Sequence, residues 1–153
     1  MQLEPAKRSN VHMRVAVHGP SGAGKSTLAA READKHVFAP DGLIWHIGPD
    51  YDQARAEFDY IYKPLKALGF ITKESLPSTG SRSFVTEWGL KCETLSTQRD
   101  TDHIASFAPT LILLVEAGQQ PYAAFEKSVE RALQHFCPIL ISGTLEKNKY
   151  PWY

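Results

Sequence analysis

Gly19-Pro20-Ser21-Gly22-Ala23-Gly24-Lys25-Ser26-Thr27 is the most informative stretch of this chain. It fits the phosphate-binding pattern G-x-x-x-x-G-K-[ST], a pattern that carries weight only between a strand and a helix. Both are predicted. Residues 11–18 end in the apolar run Val15-Ala16-Val17 and read as a buried strand. Residues 25–37 are rich in Ala, Leu and charged side chains and read as a helix. The glycines let the backbone curl so that successive N–H groups face one anion. The helix N-terminus adds partial positive charge. In this pattern Lys25 bridges the β- and γ-phosphates, Ser26 offers its hydroxyl to Mg²⁺, and Thr27 supports the α-phosphate side. A nucleoside triphosphate and Mg²⁺ are the implied ligands.

Downstream of the loop, helices alternate with apolar strands. A turn at Pro40-Asp41-Gly42 precedes a short strand over residues 43–47. Asp50 is placed to cap a helix, with Gln53 at the capping-box position. Ala54, Phe58, Ile61, Leu65 and Leu68 form one apolar helical face. Pro64 should kink or shorten that helix, and Gly69 should stop it. Residues 70–73 read as a strand. Residues 83–88 and 90–95 read as a hairpin about Gly89. A polar loop with one short helical turn spans 97–109. Residues 110–116 form an apolar run typical of a strand covered on both faces. A helix over 121–136 carries Tyr122, Phe125, Val129, Leu133 and Phe136 on one side, and a last short strand spans 139–142. The expected fold is an α/β three-layer sandwich with a mostly parallel central sheet and an inserted or edge β-hairpin. Residues 1–10 read as a flexible lead-in and 11–153 as the domain.

Composition sets the outer limits. The chain has 153 residues, 17 Lys plus Arg and 17 Asp plus Glu, so its formal net charge is zero. That excludes a strongly basic nucleic-acid coat and an acidic disordered tail. Cys92 and Cys137 could form one bridge but no disulfide framework, and a reducing cytoplasm is the expected compartment. No apolar run approaches the roughly 20 residues of a membrane span. The six histidines show no metal-ligand spacing with Cys or another His, which argues against zinc. His18 and His46 are read as solvated or core-edge residues.

Two further signals follow the phosphate loop. The run Leu111-Ile112-Leu113-Leu114-Val115-Glu116 ends in an acid, and a glutamate there can orient the attacking water and help hold Mg²⁺. Ser142-Gly143-Thr144 follows the last strand, where small hydroxyl residues can contact a γ-phosphate.

With these signals in order, the chain resembles the ATPase domain of phage large terminases, the motors that drive DNA into capsids. The resemblance runs from about residue 14 to 153. It includes Ile47-Gly48-Pro49-Asp50-Tyr51-Asp52-Gln53-Ala54-Arg55, the segment from Glu93 through Asp100 to Ile104, Val115-Glu116-Ala117-Gly118-Gln119 and Ser142-Gly143-Thr144. It implies that residues 19–27 (Gly19, Pro20, Ser21, Gly22, Ala23, Gly24, Lys25, Ser26, Thr27) bind nucleotide. Glu116 is then the catalytic carboxylate, Ser26 and Glu116 serve Mg²⁺, and Ser142, Gly143 and Thr144 sense the γ-phosphate. It also implies double-stranded DNA, a homo-oligomeric ring and other packaging proteins as partners, in the host cytoplasm.

Three departures stand out. No arginine occupies Pro20, Ser21 or Ala23, so the transition-state arginine is unassigned, with Arg55, Arg82 and Arg99 as candidates. Val115 stands where an Asp is usual. The chain ends before the family's nuclease domain, and a truncated product is expected. The rival reading is a small-molecule kinase, whose arginine-bearing lid has little counterpart after Arg99.

Overall fold

The computed structural model describes residues 14–18, 24–104 and 106–144. Seven strands form one sheet: β1 (Arg14–His18), β2 (Leu43–Gly48), β3 (Ile71–Ser75), β4 (Ser83–Thr86), β5 (Lys91–Ser96), β6 (Leu111–Leu114) and β7 (Ile139–Gly143). Helices α1 (Lys25–Val37), α2 (Tyr51–Ala67), α3 (Thr101–Ile104) and α4 (Tyr122–His135) connect them. The strand order is β1-β7-β6-β2-β5-β4-β3. The first five strands run parallel to one another, and β4 and β3 add an antiparallel edge. The carboxyl ends of β1, β7, β6, β2 and β5 therefore share one rim, where open parallel sheets carry their ligands.

Both faces of the sheet are covered. Leu111, Leu113, Val115, Ile44 and Leu140 pack with Ala29, Ala33 and Val37 of α1 and Phe58, Ile61 and Leu65 of α2. Ile112, Leu114, Trp45, Ile47, Ile139 and Ile141 point the other way, toward Ile104 of α3 and Ala132 of α4. This explains the unbroken apolar run before Glu116, because alternate residues of β6 enter opposite layers. The two cysteines fall in opposite layers, both buried and free, so no bridge links them.

Asp50 caps α2 as expected: its Oδ1 accepts from the Gln53 backbone N–H at 2.9 Å. Gln53 Nε2 returns to Asp50 Oδ2 at 3.1 Å rather than to the main chain, a side-chain variant of the capping box. Helix α2 runs through Pro64 to Ala67. It ends in a Schellman pattern, with Gly69 N–H on the Lys66 carbonyl and Phe70 N–H on that of Leu65. The hairpin about Gly89 forms with Phe84 opposite Cys92, but its second strand, β5, also pairs in parallel with β2.

Three expectations about burial need correction. Leu68 is 66% exposed because it is the helix cap, beyond the last turn that faces the sheet. In α4 the buried residues are Ala124, Ser128 and Ala132, spaced four apart, with Phe125 and Val129 at the margin. Tyr122, Leu133 and Phe136 of the expected stripe are exposed. Small residues let α4 lie close to the sheet, and the larger ones are pushed to its flanks. His46 is neither solvated nor at an edge: it is fully buried in the middle of β2, edge-on to Phe58 at 5.7 Å.

On the opposite layer Glu93 is a buried carboxylate with three donors. Trp45 Nε1 reaches it at 2.8 Å, Lys91 Nζ at 2.8 Å and His103 Nε2 at 3.1 Å. Burial alone pushes its pKa up, but the bonds from Lys91, His103 and Trp45 outweigh that and hold it below the usual carboxylate range. The expected lead-in, residues 1–10, lies outside the described residues.

Candidate functional site at the carboxyl rim of the sheet

The sheet brings the sequence signals together in space. β1, which leads into the phosphate-binding pattern, pairs with β7 so that Val17 lies beside Ser142 and His18 beside Gly143. β7 pairs in turn with β6, with Leu114 beside Ile141. His18 at the end of β1, the Ser142-Gly143-Thr144 turn after β7 and Glu116 after β6 thus follow three adjacent strands. Ser142 and Thr144 are 5% and 3% exposed, so both hydroxyls are held inside the rim.

Residues 19–23 lie outside the described residues. The loop is described from Gly24, which caps α1 in the left-handed region at φ 80° and ψ 18°. A side chain is disfavoured in that conformation, which accounts for glycine at the sixth position of the pattern. Lys25 is half-buried in the first turn of α1, Thr27 is exposed, and Ser26 is described through its backbone only.

Glu116 lies two residues past the end of β6, where Val115 N–H still bonds the Ile47 carbonyl of β2 at 2.8 Å. Its backbone is left-handed, with φ 51° and ψ 48°. A non-glycine residue there is strained by about 1–3 kcal/mol, and such strain concentrates at functional sites. The conformation turns the chain sharply into a 3-10 turn over Ala117–Gln119, and Glu116 lines a cleft of about 340 Å³. Asp52, Gln53, Ala56 and Glu57 of α2 form the opposite wall, and Val115 and Gln119 complete it. Thr144 Oγ1 lies 3.4 Å from Glu116 Oε1, at the long end of hydrogen-bond range.

Val115 belongs to the α1–α2 layer of the core and is 2% exposed, so the position usual for an Asp supplies no ligand. Glu116, which lines the open cleft, and Thr144, buried against its carboxylate, are hard oxygen donors. Such a set suits Mg²⁺, which keeps several waters and takes few protein ligands. Among the described residues no group of three or more His, Cys, Asp or Glu gathers at metal-binding distance.

The three candidate arginines part company here. Arg55 and Arg82 both approach Asp59 on α2, at 3.7 and 3.9 Å. Arg99 is exposed and lines a second cleft on the same rim, about 190 Å³, with Asp50, Tyr51 and Ser96 among its walls.

Sequence reasoning missed the α2 wall of the main cleft and the buried residue Gln120. Gln53 was visible as a cap and within the segment 47–55 but not as a cleft wall, and a glutamine four residues after an acid has no pattern of its own. The left-handed backbone at Glu116 also had no signal, since glutamate is not a turn former.

The sequence matches no protein-family model and no curated protein. Solved structures do match. The ATPase domain of the large terminase of a Thermus phage superposes with a TM-score of 0.60 at 21% identity, over 89% of this chain and 61% of that one. The large terminase of a second, thermophilic bacteriophage gives a TM-score of 0.68 at 10% identity, over 90% and 35%. The complex of that second terminase with ATP-γ-S gives 0.63 at 9%, over 86% and 32%. The chain therefore has the fold of large-terminase ATPase domains, and it spans about three-fifths of the first of these structures and a third of the second. Among its described residues no helix is long and apolar enough to cross a membrane.

Proposed function

We infer that this chain is the ATP-binding and hydrolysing part of a terminase-like DNA-packaging motor. The observation that carries the reading is Glu116. A glutamate with a strained backbone lines an open cleft at the sheet rim, with Thr144 against its carboxylate and β1, the strand that leads into the phosphate-binding pattern, two strands away. The structures of the thermophilic bacteriophage terminase in complex with ADP and with ATP-γ-S support nucleotide binding by this fold.

In this reading residues 19–27 cradle the phosphates of ATP, with Lys25 against the β- and γ-phosphates. Mg²⁺, held by Ser26 and through Glu116, would neutralise charge developing on the phosphates. Glu116 orients a water for in-line attack on the γ-phosphorus. Thr144 touches both the carboxylate and the segment that Ser142 and Gly143 form. Loss of the γ-phosphate would therefore be felt by β7 and passed toward double-stranded DNA. Arg99, exposed on the active rim, is the best placed of the three arginines to serve a neighbouring subunit in a ring. Activity, ring formation and DNA handling by the longer protein are part of the same proposal.

A small-molecule kinase is not favoured. The matching structures named above are terminases, and a glutamate lining an open cleft suits water as the acceptor.

The test follows γ-labelled ATP with Mg²⁺, with and without duplex DNA. Phosphate released to water, raised by DNA, abolished in Glu116→Gln and lost with nucleotide binding in Lys25→Ala, is the expected result. Label passing to a small acceptor would overturn the motor reading.

A further inference from the structure

The peptide that enters Glu116 is held from the side by Gln120. This residue is 1% exposed, and its Nε2 donates to two main-chain carbonyls, Val115 at 2.7 Å and Ile47 at 2.8 Å. One amide nitrogen carries two protons, and both are used. The Ile47 carbonyl also accepts the Val115 N–H at 2.8 Å, so both of its lone pairs are engaged. The ends of β2 and β6 are thus tied by three bonds around one carbonyl pair.

The Val115 carbonyl belongs to the peptide plane leading into Glu116, and its direction sets φ at Glu116. On the far side, Gln119 N–H bonds the Glu116 carbonyl at 2.9 Å and Gln120 N–H bonds that of Ala117 at 3.0 Å. Planes on both sides of Glu116 are therefore fastened, and the residue sits at φ 51°. A left-handed glutamate persists only where its surroundings over-determine it.

We propose that Gln120 is the positioning residue for Glu116: its side-chain amide locks the Val115–Glu116 peptide and so aims the carboxylate into the cleft. This deepens the reading of Glu116 as the group that orients water, and it rests on that reading. Gln120 is buried and is not among the residues that line the cleft. Its length and its two protons are what the place requires. Glutamate has no donors to offer when ionised, and asparagine is one carbon short.

The test compares wild type with Gln120→Met, which keeps the length and removes both donors. Isotope-labelled protein reports the backbone shifts of Glu116, which distinguish left-handed from ordinary backbone. The same samples give single-turnover ATP hydrolysis and affinity for a non-hydrolysable ATP analogue. In Gln120→Met the Glu116 shifts should leave the left-handed range. Hydrolysis should fall roughly 10- to 100-fold, the usual penalty for a misplaced group. Analogue affinity should stay within about twofold of wild type, since uniform binding is untouched. Added to Glu116→Gln, Gln120→Met should cause no further loss, because both act through one group.

Unchanged Glu116 shifts in Gln120→Met would overturn the proposal, and this readout needs no turnover. Should Gln120→Met fail to fold, Gln120→Asn is read in its place. Failure of both to fold also overturns the proposal, because the amide would then hold the sheet and not the carboxylate. If Glu116→Gln hydrolyses ATP at the wild-type rate, the reading of Glu116 fails separately, while the shifts still decide the role of Gln120.

Discussion

His46 shows how far a single residue can be set by its neighbours. It lies between Leu113 of β6 and Thr94 of β5 in the sheet, with Phe58 over it. Neither ring nitrogen has a hydrogen-bond partner among the described residues. Burial pushes its pKa down to about 3, and the nearby Glu93 main chain opposes this only in part. The ring is neutral in the folded protein. In the unfolded chain it takes up a proton near pH 6.5. Between about pH 6.5 and 3 the unfolded state therefore binds more protons, and stability must rise with pH. The contribution is fully present above 6.5 and is lost as pH falls toward 3. His46→Leu should flatten this acid limb by roughly 1 kcal/mol per pH unit in that window, read from urea midpoints as a function of pH. An unchanged limb would mean that the imidazole is not dry in solution.

At the scale of elements, the junction between β2 and α2 matters most, because α2 forms one wall of the cleft. Gly48 ends β2, Asp50 caps α2, and Ala54 follows within the first turn. A β-carbon on Gly48 would lie 2.7 Å from the Asp50 carbonyl oxygen and 2.9 Å from the Ala54 nitrogen. Both are main-chain atoms, so neither can swing away. Gly48→Ala should cost about 1–3 kcal/mol in urea unfolding, the range for overpacking a tight site. It should also weaken ATP hydrolysis by displacing the Asp52–Glu57 wall. Of the elements, those with strong local signals were legible in the sequence: the α1 span, the Asp50 cap, the Gly69 stop and the hairpin about Gly89. The α4 face was not. Its large side chains are periodic, as a buried stripe would be. The side that docks is the one with Ala124, Ser128 and Ala132, because closeness to the sheet rather than apolar content decided it.

At the scale of the molecule, two core layers share one sheet and cannot melt independently. Trp45 is buried in the α3–α4 layer, and Trp88 packs at the margin of the α1–α2 layer. Tryptophan fluorescence and far-ultraviolet circular dichroism should therefore report one coincident urea transition. Separate midpoints would show that the layers are separate cooperative units. Saturating MgATP should raise the stability by about 3 kcal/mol at a hundredfold excess over Kd, and Lys25→Ala should abolish that gain.

The phosphate-binding pattern, the strand–helix alternation and the terminal Glu116 are local facts, written in residue type and spacing. They were enough to name the fold class and the residues to test. Adjacency was not among them. That β7 lies between β1 and β6, bringing Thr144 to Glu116, depends on crossovers between segments far apart in the chain. So does the bond from Gln120 to Ile47, 73 residues away. Hydrophobic burial and helix signals act along the chain and survive in its pattern. The aim of a carboxylate depends on carbonyls supplied by other strands, and only packing brings those together.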